Sequence, residues 1–542
     1  MRRDRPAVAA ALLLLAVLAA VGFASVRLTG GRFVYPLDDT YIHMAMARTL
    51  AGSGTWGFAP ESFASASSSP LWTSLLALAY AILGPGEIAP LVLNAVLAVV
   101  LVFVVSSLFR RFGVTPRERF LSLLAIILFA PLAPLVFCGI EHVLHALLAV
   151  LFVEAAAAAL RPPPSSSPAR LLVLAPLLAM ARFESLFLLV FAALLLAARK
   201  RFGAAGGVLA LGFAPVAALG LISTANGWFF LPNSVLLKGR LPDALSLAAA
   251  GELLGNAAAE VWRNPHVLVL SAAAAAVLAL RLRRKRPLFE PAGVFAVLFL
   301  LGMAAQVVFA HLGWFYRYEA YLMVLGTVAL VFGTRGLTAA APPLATPLPP
   351  PPASPGAAPS PLRLPSLLAL ALLAAVPGWR GIRATAEVPR ASRNIYEQQI
   401  QVAAFLRAHY SGDAVALNDI GAAQWYARFR CLDLWGLADI DVARARLAKT
   451  YRPETMAAFA ARAGVRIAVV YEEWFDRFGG LPAGWVKVGR WTIEDNIVCG
   501  GPTVAFFAVR PEEAGPLAEA LSDFQAELPP RVLSRISWKG GR

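Results

Sequence analysis

The sequence predicts a polytopic α-helical membrane protein with about 11 membrane segments and a C-terminal extracytoplasmic α/β domain. Of the 542 residues, 59% are hydrophobic and only 15% are charged, whereas a soluble domain is nearer half apolar and a quarter charged. The apolar residues also gather in stretches long enough to cross a bilayer. From Trp379 onward the composition becomes that of a soluble domain.

The basic residues fix the predicted orientation. A formal net charge of +16 would suggest nucleic acid as the partner of a soluble protein. Here Lys and Arg gather in short loops between apolar segments, which is the positive-inside pattern of proteins embedded in membrane lipids. We therefore expect no nucleic-acid partner and a cytoplasmic N-terminus. The basic clusters lie at 2–5, 110–119, 161–170, 199–201 and 281–286.

Threading apolar segments between these clusters gives the predicted spans. The segment 71–83 is only about 13 residues long and is too short to cross ~30 Å of hydrocarbon, so we expect it to lie in the outer interface. The pair 171–181 and 185–198 is expected to form two short helices that meet below the outer surface. The predicted segments are 7–23, 88–109, 120–137, 143–160, 171–181, 185–198, 204–223, 267–280, 291–310, 319–332 and 364–376.

An odd number of segments places the predicted C-terminus outside the cell. We expect a transmembrane bundle at 1–378 with a first outer loop at 24–87, a Pro/Ala-rich cytoplasmic linker at 340–364, and an extracytoplasmic domain at 379–542. Within that domain the apolar patterning predicts strands and helices. The strands are at 414–417, 467–471 and 504–509, and the helices are at 394–409 and 456–463.

Two of the three cysteines, Cys431 and Cys499, fall in the predicted extracytoplasmic domain. An oxidising compartment permits a disulfide between them, and two buried free thiols are an equally open interpretation. Neither the number nor the spacing of the cysteines indicates a metal site.

Asp38 and Asp39 form a carboxylate pair just after the first predicted span. Adjacent carboxylates can bind a cation, or one can act as a general base whose pKa is adjusted by burial and by its neighbour. Either residue can instead cap a helix at 40–51. Capping and catalysis are compatible, so the pair alone does not decide between them.

Further polar residues fall at the outer ends of the predicted spans. Each alone has a plain explanation, because basic and aromatic side chains are common at membrane interfaces. Together they place acidic and basic groups on one face of one bundle, where charge is costly unless it is used. That set suits a lipid phosphate held by Arg and Lys beside a carboxylate base. Its members are Tyr41, His43, Glu141, His142, Arg182, Asn233, Lys238 and Arg317.

An ordered series of short motifs resembles bacterial GT-C glycosyltransferases, with the mycobacterial terminal arabinofuranosyltransferase branch as the nearest likeness. Phe183, where Pro is expected, and Ile140, where Met is usual, depart from the pattern of that branch. The motifs lie at 38–42, 47–54, 69–73, 139–141, 181–184, 231–238, 315–318, 418–421 and 433–437.

The resemblance implies transfer of a sugar, arabinofuranose or mannose, from a polyprenyl-phosphate donor to a hydroxyl of an envelope glycan, lipid or protein. The reaction would take place on the outer face of the bacterial cytoplasmic membrane. Asp38, ahead of Asp39, would be the base. Glu141 would shape the site or, with Asp39, hold a divalent cation. The remaining roles are implied for two groups: Lys238, Arg317 and Arg182 at the donor phosphate, and His142, Tyr41, His43 and Asn233 as supporting or acceptor-binding residues.

Two other functions use the same residues. A lipid or polysaccharide transporter would use the charged groups as a conduit, although no matching inverted halves are visible. A non-catalytic scaffold would bind envelope material through its outer domain. The motif at 418–421 also has two interpretations, an acceptor site or a strand ending in a turn.

Overall fold

The computed structural model describes residues 4–161, 167–238, 247–338, 364–538 and 540. The predicted linker at 340–364 lies outside these ranges except for its last residue, Leu364, where a long helix begins. The described chain forms a helical bundle followed by a domain built around one six-stranded sheet.

The bundle confirms the polytopic helical prediction. Among the described residues, six helices are long and apolar enough to cross a membrane, namely α1, α4, α7, α10, α13 and α14, and shorter apolar helices lie beside them. The bundle helices are α1 (Arg5–Leu28), α2 (Asp38–Ser53), α3 (Pro70–Leu83), α4 (Ala89–Arg111), α5 (Pro116–Phe129), α6 (Leu132–Phe137), α7 (His142–Leu160), α8 (Ala169–Ala181), α9 (Ser185–Ala198), α10 (Phe202–Ala225), α11 (Asn233–Lys238), α12 (Leu247–Arg263), α13 (Pro265–Arg283), α14 (Pro291–Phe309), α15 (Ala320–Thr338) and α16 (Leu364–Ile395).

Two bundle elements differ from the prediction. The segment predicted as one span at 120–137 is two helices, α5 and α6, because Pro131 interrupts it. Proline lacks a backbone N–H and its ring collides with the preceding turn, so a continuous helix is broken there. Helix α12 was not predicted at all, since its apolar residues are interrupted by polar ones on one face.

Helix α7 is the centre of the bundle. In its most apolar 18-residue window, 83% of the residues are buried inside the protein, against 28–39% for α1, α4, α10 and α13. A helix that is apolar on all sides and covered by protein belongs to the core. Residues at the N-terminal end of α7 are therefore held firmly by the surrounding helices.

The sheet has the strand order β2-β1-β3-β5-β4-β6. Strands β2, β1 and β3 run parallel to one another, and β5, β4 and β6 pair antiparallel. The strands are β1 (Ala414–Leu417), β2 (Arg430–Asp433), β3 (Ile467–Val470), β4 (Val486–Thr492), β5 (Thr503–Ala508) and β6 (Leu533–Ile536), and the helices that pack on them are α17 (Gln401–His409), α18 (Gly421–Tyr426), α19 (Ile440–Leu447), α20 (Pro453–Arg462) and α21 (Ala514–Phe524).

The central strands β1 and β3 are buried along their whole length, and alternate residues face opposite sides of the sheet. Val415 and Leu417 of β1 join the large apolar cluster that continues into the bundle, whereas Ala414 and Ala416 join a second cluster on the opposite face. Successive side chains of a strand point to opposite faces, so both faces of the sheet are covered. The predicted strands at 414–417, 467–471 and 504–509 are confirmed as β1, β3 and β5 to within one residue.

The bundle leads into the sheet domain through helix rather than loop. Helix α16 continues through a π-helical turn at Tyr396–Ile400 directly into α17. The proposed boundary at residue 379 falls inside α16.

Of the two interpretations of Cys431 and Cys499, the structure favours free thiols over a disulfide, because all three cysteines are unpaired with one another. Cys431 lies on the edge strand β2, and Cys499 lies in the segment before β5, with β1 and β3 between the two strands. Adjacent strands lie about 4.8 Å apart, whereas the Cα atoms of a disulfide lie within about 7 Å.

Candidate functional site

Asp38 links the first loop of the bundle to the sheet domain. Its side chain is buried, and its two carboxylate oxygens accept hydrogen bonds from the backbone amides of Gly421 (2.6 Å) and Ala422 (2.7 Å) at the start of α18. The prediction that Asp38 or Asp39 caps its own helix is wrong, because α2 begins at Asp38 after Leu37 and has no side-chain cap. Both acids instead lie in the first turn, where the helix dipole favours negative charge.

The surroundings of Asp38 raise its pKa. Burial is the largest cause, while a hydrogen bond with Asp419 and the amides of Ala422 and Gly421 act in the opposite direction and the charge of Asp39 adds to the rise. A carboxylate whose pKa lies above its ordinary value holds a proton more readily at neutral pH.

Asp39 forms an ion pair with Arg317. Arg317 Nη2 lies 2.5 Å from Asp39 Oδ2, and the Arg317 side chain is 2% exposed. Arg317 Nε and Nη1 are buried and have no hydrogen-bond partner among the described residues. A buried guanidinium with unused donors is costly, and an anion is one kind of ligand that satisfies such donors.

Glu141 and Arg182 form a second buried pair. Arg182 Nη1 donates to Glu141 Oε1 at 2.5 Å, and Nη2 donates to Glu184 Oε1 at 2.6 Å. Glu141 is fully buried, and the ring of His142 lies 3.4 Å from Arg182 Nη1 through its Nε2. The guanidinium is thus held in one orientation by carboxylates from two separate loops.

His43 connects this pair to the first loop. Its Nδ1 lies 2.8 Å from Thr73 Oγ1, and its Nε2 lies 3.6 Å from Glu141 Oε2. The imidazole of His43, on α2, therefore contacts both α3 and the start of α7.

Tyr318 joins the two ion pairs into a single site. The guanidinium carbons of Arg182 and Arg317 lie 5.5 Å and 5.0 Å from its ring centroid, and the centroid of the His142 ring lies 6.1 Å from it in a T-shaped arrangement. Cations over an aromatic ring are attracted by its quadrupole. The sequence-predicted residues of four separate segments thus lie together: Asp39, His43, Glu141, His142, Arg182 and Arg317.

Other predicted site residues lie elsewhere. Tyr41 is fully buried between the rings of Tyr35 and Tyr426 and packs α2 into place. Asn233 donates through Nδ2 to the carbonyl oxygen of Gly436 at 2.8 Å, which ties the bundle to the sheet domain. Lys238 ends α11, and its side chain lies outside what the structure describes.

A cavity of about 200 Å³ lies between the bundle and the sheet domain. The bundle contributes Asp38, Asp39, Trp314 and Tyr318 to its wall. The motifs at 418–421 and 433–437 meet on its other side. The residues that the sheet domain contributes include Asn418, Asp419, Asp433, Trp435 and Trp474. No pattern in the sequence pointed to Trp474, and Trp314 resembled an ordinary interfacial residue.

A second, more open cavity of about 490 Å³ lies on the other side of the segment Gly313–Tyr316. Three arginines line it, namely Arg263, Arg380 and Arg383, and Trp314 lines both cavities. Sequence reasoning missed it because Arg380 and Arg383 fall in a helix after the last predicted span.

Asp39 and Glu141, the predicted holders of a divalent cation, are each bonded to an arginine. In the part of the chain that the structure describes, no group of three or more His, Cys, Asp or Glu side chains is placed to hold a metal. The cation stays a prediction.

Comparison with known proteins identifies the fold. A domain of unknown function (DUF8728) matches residues 393–507, and no curated protein matches the chain. The crystal structure of ArnT from Cupriavidus metallidurans bound to undecaprenyl phosphate is 12% identical, covers 93% of this chain and 99% of its own, and superposes with a TM-score of 0.51. The apo structure of the same protein is 13% identical and covers 93% and 98%, with a TM-score of 0.48. The chain is thus a polytopic helical membrane protein with the ArnT-like GT-C fold and a C-terminal sheet domain.

Proposed function

We propose that the protein is a membrane glycosyltransferase that moves a sugar from a polyprenyl-phosphate donor to an acceptor hydroxyl. The observation that carries the proposal is the first-loop acid pair at the cavity, with the buried guanidinium of Arg317 bonded to Asp39. One carboxylate is suited to take a proton and the cation is suited to take a phosphate. The fold supports the proposal, because the similar ArnT structure holds undecaprenyl phosphate.

Asp38 is the proposed base. It lines the cavity, and its raised pKa suits removal of the proton from an acceptor hydroxyl as that oxygen attacks the anomeric carbon of the donor sugar. The bond from the sugar to the phosphate oxygen breaks in the same step, and polyprenyl phosphate leaves with the electron pair.

Arg317 is the proposed phosphate ligand. Its Nε and Nη1 have no hydrogen-bond partner among the described residues, and Asp39 fixes the orientation of the guanidinium through Nη2. Donors aimed at the oxygen that gains charge stabilise the transition state. Only the family resemblance assigns Lys238 and Arg182 to the same phosphate. The contacts of Arg182 with Glu141 and Glu184 favour a role in shaping the site.

The sugar and the location follow from resemblance and charge. The likeness to the arabinofuranosyltransferase branch favours arabinofuranose, with mannose as the other candidate, and a glycan, lipid or protein of the cell envelope as acceptor. The basic ends of the helices support a cytoplasmic N-terminus and an outer sheet domain in the bacterial cytoplasmic membrane.

The test is sugar transfer by the purified full chain in lipid nanodiscs supplied with a panel of polyprenyl-phosphate sugars. Asp38→Asn should lower turnover at least about a hundredfold, since a general base contributes about 10²–10⁴-fold. Arg317→Lys should raise the donor KM about tenfold, because lysine keeps the charge and loses the planar fork. Asp39→Asn should also lose transfer.

The matched control is Asp523→Asn, an exposed acid on α21 in the sheet domain, which should transfer as the parent does. Each variant is first checked for membrane insertion and monodispersity. Full activity of Asp38→Asn would remove Asp38 as the base. Lipid translocation in proteoliposomes without any sugar transfer would favour the transporter instead.

A further inference from the structure

The sheet-domain wall of the cavity is formed by the carboxyl ends of three parallel strands. Asn418 and Asp419 directly follow β1, Asp433 is the last residue of β2, and Trp474 closes the short 3-10 turn after β3. Parallel strands end at the same edge of a sheet, and that edge is where open α/β sheets bind ligands. The sheet domain therefore presents its binding edge to the catalytic cavity.

Asn418 carries an unused hydrogen-bond donor at this edge. The residue is 4% exposed and lines the cavity. Its Oδ1 accepts the backbone N–H of Tyr471 at 3.2 Å, while its Nδ2 has no partner among the described residues. Because buried amide donors are almost always satisfied, the orphaned Nδ2 indicates a ligand atom that accepts a hydrogen bond.

Acceptors for ligand hydroxyls lie nearby. Asp419 is partly exposed, and its Oδ2 accepts from Gln399 Nε2 at 2.9 Å, which holds the side chain in place. Asp433 has a different role, because its two oxygens accept the backbone amides of Trp435 and Ala438. Among the described residues that line the cavity there is no Lys, Arg or His. The sheet-domain side of the cavity, to which Asp419 and Asp433 belong, is therefore unfavourable for an anion.

The cavity also has an exposed aromatic side chain, Trp314. Trp435 is contacted by the guanidinium groups of Arg446 and Arg477 at 4.1 Å and 4.7 Å, and it packs against Trp474 at 4.6 Å. Trp314, on the bundle side, is 49% exposed and lines the cavity. Its indole is the aromatic surface best placed to receive the apolar face of a ligand.

We propose that Asn418, Asp419 and Trp314 form the acceptor subsite, and that the acceptor group is one neutral sugar residue of a glycan. A sugar supplies hydroxyl oxygens for Asn418 Nδ2, hydroxyl hydrogens for Asp419 and an apolar C–H face for Trp314. A cavity of about 200 Å³ lies below the ~300–1,000 Å³ of drug-sized pockets, which suits a single ring. This inference rests on the proposed function, in which Asp38 lies beside the acceptor hydroxyl.

Two variants test the subsite by different chemistry. Asn418→Asp keeps an oxygen for the Tyr471 amide, replaces the Nδ2 donor by an acceptor and adds a carboxylate charge beside Asp419. Trp314→Ala removes an exposed ring. The control is Trp262→Ala, since Trp262 is 88% exposed and lies outside the cavity lining.

The measurement is binding to the full chain in nanodiscs by titration calorimetry. The probes are methyl mannopyranoside and methyl arabinofuranoside as neutral sugars, methyl glucuronoside and mannose 6-phosphate as anionic sugars, and a serine-containing peptide. We expect the parent and Trp262→Ala to bind at least one neutral glycoside and neither anionic sugar. Asn418→Asp and Trp314→Ala should each bind about tenfold more weakly, as expected for losing one hydrogen bond or one stacking contact.

Binding of the peptide or the anionic sugars in preference to neutral glycosides would overturn the proposal, and so would equal neutral-glycoside affinity in parent, Asn418→Asp and Trp314→Ala. The binding assay needs no donor and no turnover. Neutral-glycoside binding without any donor turnover would contradict the proposed function and support the subsite. Donor turnover without neutral-glycoside binding would support the proposed function and contradict the subsite.

Discussion

Asp38 and Asp39 are adjacent in the chain, and their carboxylates have different surroundings. Asp38 is buried against two backbone amides of the sheet domain, whereas the Asp39 side chain is 33% exposed and faces the cation of Arg317. Two carboxylates whose environments separate their proton affinities are suited to different roles. The proposed division, with Asp38 as base and Asp39 as the partner of the phosphate ligand, follows from this difference.

Asp433 should make the stability of the sheet domain depend on pH. Burial raises its pKa from 3.8 to about 6, against the hydrogen bonds from the amides of Ala438 and Trp435, and the charge of Asp439 adds to the rise. Between these two values the folded chain holds the proton more tightly than the unfolded chain does. The stabilisation is therefore complete below pH about 4 and is lost as the pH rises through about 6.

One pKa unit corresponds to about 1.4 kcal/mol, so this contribution is about 3 kcal/mol. Melting followed by tryptophan fluorescence between pH 4 and 7.5 should show a declining melting temperature for the parent and a smaller decline for Asp433→Asn. Burial also raises the pKa of Asp439, so the variant should keep part of the pH dependence of the melting temperature. Arg446 is the cation near Asp433. Identical pH profiles would show that Asp433 does not titrate in this range.

At this scale the sequence identified the acid pair and Arg317, the partner of Asp39, but not the backbone amides that bind Asp38. Asp38 and Gly421 are 383 positions apart, and no local pattern links them. Glu141, Arg182 and Arg317 were found because charged residues at the ends of apolar spans are unusual. Trp314 was not distinguished, since an interfacial tryptophan is common. The motif at 418–421 was left with two interpretations, since Asp and Gly at the end of a strand also suit a turn.

At the scale of elements, Gly421 sets how closely α18 approaches α2. A Cβ at this position would lie 2.6 Å from Asp38 Oδ2 and closer still to the backbone oxygen of Asp38. Gly421→Ala should therefore push the carboxylate of Asp38 out of position. We expect the free energy of unfolding to fall by about 1–3 kcal/mol, as for an overpacked core. The transfer rate of the folded protein should fall as well, because the base is displaced.

Gly484→Ala is the matched control for this change. Gly484 lies in the same domain with nothing within 4 Å of an added Cβ, so the variant should melt and transfer as the parent does. Normal transfer by Gly421→Ala would mean that the spacing between α2 and α18 does not govern the position of the base.

Elements were predicted well where one physical signal dominates. Continuous apolar runs gave the limits of α7, α8 and α9 to within two residues, and short apolar runs gave the three central strands. Strands β2, β4 and β6 were missed because polar residues interrupt them, as Arg430 and Arg490 illustrate. Pairing with neighbouring strands, which a single sequence does not reveal, stabilises these three strands.

At the scale of the whole molecule, the charged helix ends separate into two groups. At one end Arg110 pairs with Asp4, and Glu154 pairs with Arg111 and Arg170, at 2.6 Å, 2.7 Å and 2.7 Å. These residues stand at or near the start of α1, the end of α4, the end of α7 and the start of α8. The start of α7 and the end of α8 carry Glu141 and Arg182, so the candidate site belongs to the opposite end.

This separation predicts the orientation of the chain. Arg-rich ends remain on the cytoplasmic side, so the site and the sheet domain should face outward. Single cysteines report the two sides: Gly484→Cys in the sheet domain and Arg117→Cys in α5, both at exposed positions. Each is placed in a Cys431→Ser background, because Cys138 and Cys499 are buried and Cys431 is partly exposed.

A membrane-impermeant maleimide applied to right-side-out vesicles should label Gly484→Cys and leave Arg117→Cys unlabelled until detergent is added. The opposite pattern would place the sheet domain in the cytoplasm. The acid pair and its acceptor wall would then face the cytoplasm as well, because Asp38 is bonded to Gly421 and Ala422 across the cavity. Transfer at the outer face would be ruled out. Labelling of both cysteines before detergent would show leaky vesicles, which a cytoplasmic marker enzyme reveals independently.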